Sequence, residues 1–142
     1  MKAFIILFSI VLMSACSSIE KSEETRHRLQ TEPLQQAVTE LGYIAQEPVE
    51  RVVDWDLYNW QAIDDHAVII WVNAFDPYLF TLRERCSQLN FADTISVTHV
   101  GNTINANFDA VIALDPPAGG EKCFIDKIYP LTKIKAQNTE HH

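Results

Sequence analysis

Ala67-Val68-Ile69-Ile70-Trp71-Val72 is a run of six residues without a polar side chain. Successive side chains in a strand point to opposite faces, so this run leaves neither face for water. That is the composition of a central strand covered from both sides, and at a sheet edge it would be an aggregation hazard. The flanking sequence supplies its neighbours. Leu57 to Ile63 puts Tyr58, Trp60 and Ala62 on one face at a period of two, and Asp64-Asp65 is a two-residue polar break of the kind hairpins use. On the other side the loop Asn73-Ala74-Phe75-Asp76-Pro77 leads into a second apolar strand, Tyr78 to Leu82. The expected centre of the fold is therefore a three-strand unit with Ala67–Val72 in the middle.

Further along, Ile95, Val97 and His99 alternate with Ser96, Thr98 and Val100 before Gly101-Asn102. Glycine in the first turn position suits a type II′ hairpin, after which Ile104, Ala106 and Phe108 alternate with Thr103, Asn105 and Asn107. Ala110 to Leu114 continues as strand, Asp115-Pro116-Pro117-Ala118-Gly119-Gly120 reads as a flexible loop, and Cys123 to Tyr129 as the last strand, ended by Pro130. Cys86 to Phe91 is too mixed for a strand and suits a helical turn. Before the sheet, Leu34, Ala37, Val38 and Leu41 recur at helical spacing and predict a helix over Pro33–Leu41 that docks on the domain. Thr31 suits its cap, Pro33 its first turn and Gly42 its left-handed exit. The fold class expected is mainly β: a small antiparallel sheet, barrel or sandwich of five to seven strands with one short N-terminal helix.

The beginning of the chain has a different character. Lys2 precedes the apolar run Ala3 to Met13, and Met13-Ser14-Ala15-Cys16 follows, which together describe a secretory signal with a small-residue cleavage site before a cysteine. This is the lipobox pattern of bacterial lipoproteins, in which Cys16 is acylated and becomes the mature N-terminus. The run is about half the roughly 20 apolar residues of a spanning helix. Ser17 and Ser18 follow the cysteine where an aspartate would retain a lipoprotein at the inner membrane, so the outer membrane is the expected destination, through more than one acyl chain. The organisation read from the sequence is a signal over 1–15, a polar tether over 16–31, one β-rich domain over 32–132 and a polar tail over 133–142.

The 142 residues hold 11 Lys and Arg against 19 Asp and Glu, and Lys2 is the only charge lost with residues 1–15, so the mature net charge goes from −8 to −9. An acidic balance disfavours nucleic acid as a partner. The expected partners are the membrane through the lipid anchor and an envelope protein or small ligand. Two cysteines remain after Cys16. In an oxidising compartment Cys86 and Cys123 read as a structural disulfide, since neither the C-x-x-C of a redox pair nor close-spaced metal ligands accompany them.

Few residues carry chemistry at recognisable spacing. Asp64, Asp65 and His66 are adjacent, but strand neighbours point apart and Asp-Asp at a turn is ordinary turn chemistry. Asp54 and Asp56 alternate around Trp55 and would share a face, without a third ligand. His99 falls on the Ile95/Val97 face as a core or rim histidine. G-x-S-x-G, H-E-x-x-H and glycine-rich phosphate loops are absent from the sequence. Neither catalytic residues, nor a metal, nor a cofactor is assigned. Aromatics crowd from Trp55 to Phe80, mostly as sheet core, and Trp55, Phe75 and Tyr78 beside loops are the candidates for a ligand cleft.

Four blocks together resemble a family of short exported bacterial proteins of unknown function: Asn59 to Trp71; Tyr78 to Leu82 with Cys86; Asn107 to Ile112; and Cys123 to Leu131. The resemblance spans roughly Val49 to Leu131. It implies the domain limits and the Cys86–Cys123 pair, and no activity. The expected function is a non-enzymatic binding or interaction module. The rivals are a small hydrolase or metal-dependent enzyme using Asp54, Asp56, Asp65 or His66, and an enzyme inhibitor that would need Asn73 to Pro77 as an exposed rigid loop.

Overall fold

A computed structural model describes residues 32–117 and 119–135. The expected signal and tether, with Cys16 and Thr31, and the expected tail from 136 onward lie outside the described residues. The described residues run through a helix over 32–40 (α1) and nine strands: Tyr43–Ala45 (β1), Arg51–Val53 (β2), Asn59–Asp64 (β3), Ala67–Trp71 (β4), Pro77–Leu82 (β5), Thr94–Val97 (β6), Thr103–Asn105 (β7), Ala110–Asp115 (β8) and Gly119–Lys133 (β9). A 3-10 turn, Leu89–Phe91, precedes β6.

The main sheet is antiparallel in the order β3-β4-β5-β9-β8-β6, with β1 also paired to β9, and it curls into a half-barrel. As its composition demands, β4 lies between β3 and β5, Ile70 facing Trp60 on one side and Tyr78 on the other. Its alternate residues feed two cores. Val68 and Ile70 join Phe80, Leu82, Val111 and Ile125 inside the curl, whereas Ala67 and Ile69 join Val38, Leu79 and Leu131 on the outer face under α1. Leu34 and Val38 of the helical stripe dock there, Gly42 makes the left-handed exit at φ 88°, and Leu41 falls beyond the helix and stays 41% exposed.

Four expectations are corrected. The β3–β4 loop is Asp65-His66 rather than Asp64-Asp65, because Asp64 pairs with Ala67 across a bulge at Ile63. Gly101 turns the chain at φ 59°, but the hairpin closes only through a Val100–Thr103 bridge. Beyond it β6 pairs with β8, and β7 pairs with β2 in a separate ribbon. The loop Asp115–Gly120 is largely hairpin, with Asp115 facing Gly119 and Leu114 facing Gly120.

Pro130, finally, does not end the last strand. The N and C=O of one residue in an extended chain face the same side. The Pro130 carbonyl accepts from Gln46 N at 2.9 Å, so its missing N–H faces the side where β1 has already stopped at Ala45. The ladder to β5 is untouched. Asp126 is the extra residue of a bulge opposite Thr81-Leu82, and it flips the alternation so that Ile125 and Ile128 both face inward. A disulfide with Cα atoms 5.7 Å apart joins Cys86, fully buried after β5, to Cys123 in β9, 37 residues along the chain.

Candidate functional site

Asn105-Ala106-Asn107-Phe108-Asp109 connects β7 to β8. Its alternation predicts more strand, yet Asn107 adopts φ 65°, a left-handed conformation that asparagine enters more readily than most residues. Asp109 explains the departure. At 4% exposure it is the one buried polar residue among those described. Its Oδ1 accepts from Thr98 Oγ1 at 2.9 Å, and its Oδ2 from Asn105 N at 2.7 Å and Asn105 Nδ2 at 3.2 Å. Thr98 Oγ1 in turn accepts from Ala110 N at 2.8 Å. A buried carboxylate is costly unless its oxygens are bonded, and here both are. One charge therefore fixes β7, the start of β8 and the chain leaving β6.

Other elements complete the clamp. Ala106 N donates to Glu50 O at 2.8 Å, Asn107 N to Ile125 O at 3.1 Å and Asp109 N to Asn105 O at 3.0 Å. From the end of β5, the Arg83 guanidinium donates to the Asn107 carbonyl. The segment held in this way ends in an exposed tip, with Phe108 76% and nearby Val100 65% exposed. Beside it opens a recess of about 610 Å³ lined by Glu50, Arg51, Val100, Asn105, Asn107 and Phe108. An aromatic side chain carried on a turn bonded from several directions is preorganised for contact, since little further backbone ordering is needed on binding. Sequence reasoning missed this turn. The available signal was Asn-x-Asn-x-Asp within the alternation, because both residue types are depleted in strands and favoured in turns.

Asp64, Asp65 and His66 do converge, with one ligand atom of each within 4.8 Å of the others. Asp64 ends β3 and Asp65-His66 form the turn, so strand alternation does not separate them. Asp64 Oδ1 accepts from His66 N at 2.7 Å. Asp65 Oδ1 lies 2.7 Å from His66 Nδ1 and Oδ2 lies 2.6 Å from Arg85 Nε. The hydrogen bond from His66 holds the Asp65 carboxyl below its ordinary 3.8; partial desolvation opposes this, and the His66 and Arg85 charges add to it. Both Asp65 oxygens are thus engaged, and among the described residues no hydroxyl or thiol is hydrogen-bonded to His66. The hairpin tip docks through its main chain: Leu82 N donates to His66 O at 2.8 Å and Cys86 N to Asp65 O at 2.7 Å.

Asp54 and Asp56 are not in a strand. Asp54 kinks the chain at φ 51°, and its Oδ1 accepts from Asn102 Nδ2 at 3.2 Å. Neither aspartate belongs to a group of three ligand atoms among the described residues. Trp55 is half-buried on the inner core with its ring edge-on to His99, centroids 5.3 Å apart, and its Nε1 is buried without a partner. His99 is an exposed rim residue whose Nδ1 lies 2.6 Å from Gly101 O. Tyr78 is half-buried in β5, and Phe75 is 88% exposed at the tip of the β4–β5 loop. None of Trp55, Phe75 and Tyr78 lines the recess, and no ring contact among the described residues joins two of them. The β4–β5 loop is tied by Asn73, whose Oδ1 accepts from Phe75 N at 2.8 Å and Asp76 N at 2.9 Å and whose Nδ2 donates to Asp76 Oδ2 at 2.7 Å.

Neither a comparison with curated proteins nor one with solved structures finds a match. A family model described as a family of unknown function (DUF6491) matches residues 1–142, and the chain belongs to that family.

Proposed function

We propose that this member of the DUF6491 family is an envelope lipoprotein whose disulfide-stapled β-domain is a non-enzymatic binding module. The observation that carries the reading is the clamped 105–109 turn, which spends a buried carboxylate to hold Phe108 in water beside an open recess. Met13-Ser14-Ala15-Cys16 supports lipidation of Cys16 and anchoring at the outer membrane, facing an envelope protein or a small ligand. In the dyad of Asp65 and His66 the carboxylate is already paired with Arg85, which favours binding over hydrolysis.

Two experiments test the two halves. A fatty-acid analogue labels the wild type and misses Cys16→Ser; equal labelling of both contradicts the anchor. A photo-crosslinking side chain at position 108 of the full-length protein, activated in intact envelopes, gives a discrete adduct that the same group at exposed Gln61 does not. Identical adduct patterns at both positions would remove the turn from consideration. One observation favours a second reading, inhibition of another enzyme: the Asn73 bonds make the Phe75 loop exposed and internally tied, as an inhibitory loop must be. A discrete adduct from position 75 and none from 108 identifies that case.

A further inference from the structure

The bridge between Cys86 and Cys123 has a third ligand-bearing side chain beside it. Glu121 and Cys123 are two residues apart in β9, and the two Sγ atoms and a Glu121 carboxylate oxygen lie within 4.8 Å of one another. Glu121 is held there. Its Oε2 accepts from Gln88 N at 2.7 Å and from Ser87 Oγ at 3.1 Å, leaving Oε1 with only a 3.3 Å contact to the same hydroxyl. Gln88, whose N–H fixes the carboxylate, carries a buried Oε1 with no hydrogen-bond partner. Buried polar atoms are seldom left unpaired, and this one belongs to the residue whose backbone N–H holds Glu121.

Two thiolates and one carboxylate oxygen form a donor set that zinc takes in tetrahedral geometry, with water or another oxygen in the fourth position. Bond lengths of about 2.3 Å to sulfur and 2.0–2.2 Å to oxygen place such ligands roughly 3.5–4 Å apart, a spread the cluster reaches once the sulfurs separate by side-chain rotation. We propose that, with the bridge open, Cys86, Cys123 and Glu121 bind a divalent cation of the zinc type. The site then has two mutually exclusive states, disulfide or metal, and either one ties the segment after β5 to β9. Opening is a two-electron step. A dithiol reductant supplies two electrons and two protons, the Sγ–Sγ bond breaks, each sulfur takes a proton, and the dithiol closes to its own disulfide. The metal displaces both thiol protons to solvent. None of these residues belongs to the Phe108 surface, so this inference stands apart from the binding reading.

The test uses the full chain, reduced with a phosphine and titrated anaerobically with cobalt and then zinc. Reduced wild type is expected to develop a thiolate-to-cobalt charge-transfer band with the visible spectrum of four-coordinate cobalt, while the oxidised protein develops neither. Zinc bleaches the band and slows alkylation of Cys86 and Cys123. Glu121→Gln keeps an acceptor for Gln88 N but loses the charge, and weakens binding by roughly 10–100-fold. Should the reduced chain unfold, zinc is expected to restore its far-UV circular dichroism and a cooperative melt. Absence of the band, an unchanged affinity in Glu121→Gln, or zinc binding without recovery of the fold would each overturn the proposal.

Discussion

Replacing Asp109 by alanine strips the acceptor from Asn105 N–H and from Thr98 O–H, both of which are part-buried. An unpaired buried donor costs about 1–3 kcal/mol, so a loss on the order of 3 kcal/mol is expected in urea denaturation. A loss under about 1 kcal/mol would show that the carboxylate does not hold the turn. Phe108→Ala, in contrast, removes a side chain that is 76% exposed and should leave stability within about 0.5 kcal/mol of wild type. Asp65 gives a pH signature. Its folded-state carboxyl titrates below 3.8, so the stability it contributes is present above that value and is lost as pH falls through the lower folded one. Carbon-detected NMR titration should place the Asp65 midpoint below 3.8 and move it upward in Arg85→Ala. At this scale the sequence was informative where residues are punctuators, as at Gly42 and Gly101. It was misleading at Asn107, where the Asp109 carboxylate, bonded back to Asn105, overrides the alternation.

Among the elements β4 is the most legible, because six apolar residues admit only a doubly covered strand. Ile69 and Ile70 are both fully buried but belong to different cores, so Ile69→Ala and Ile70→Ala should each cost roughly 2–5 kcal/mol in chemical denaturation. One large and one negligible loss would mean that a face of β4 is wet. The three-residue strands β1 and β2 were not legible: they are too short for periodicity to register and exist because β9 and β7 offer them edges. The length of β9 was obscured twice, by the Asp126 bulge, which reverses the phase of alternation, and by Pro130, whose missing N–H falls beyond the end of β1. The β6–β7 hairpin was over-read for the opposite reason. Its turn chemistry is right, but β8 pairs with β6 and β2 with β7, so tertiary pairing draws the two arms apart.

For the molecule as a whole, the disulfide closes a loop of 37 residues across the curled sheet. Loop-closure entropy assigns it about 4 kcal/mol, so reduction in the presence of a chelator should lower the melting temperature clearly. An unchanged melt would mean that the half-barrel holds without its staple. The fold class and the bridge were legible because burial and cysteine count are properties of the whole chain. The candidate surface was not, because Glu50, Arg83, Thr98 and Asp109 meet around one turn only after the sheet has curled. That turn is a rigid carrier for an exposed aromatic, and backbone ¹⁵N relaxation reads its rigidity residue by residue. Order parameters near about 0.85 at Asn107 and Phe108, equal to those of β4 and falling in Asp109→Ala, are the predicted result; values below about 0.6 in the wild type would contradict it.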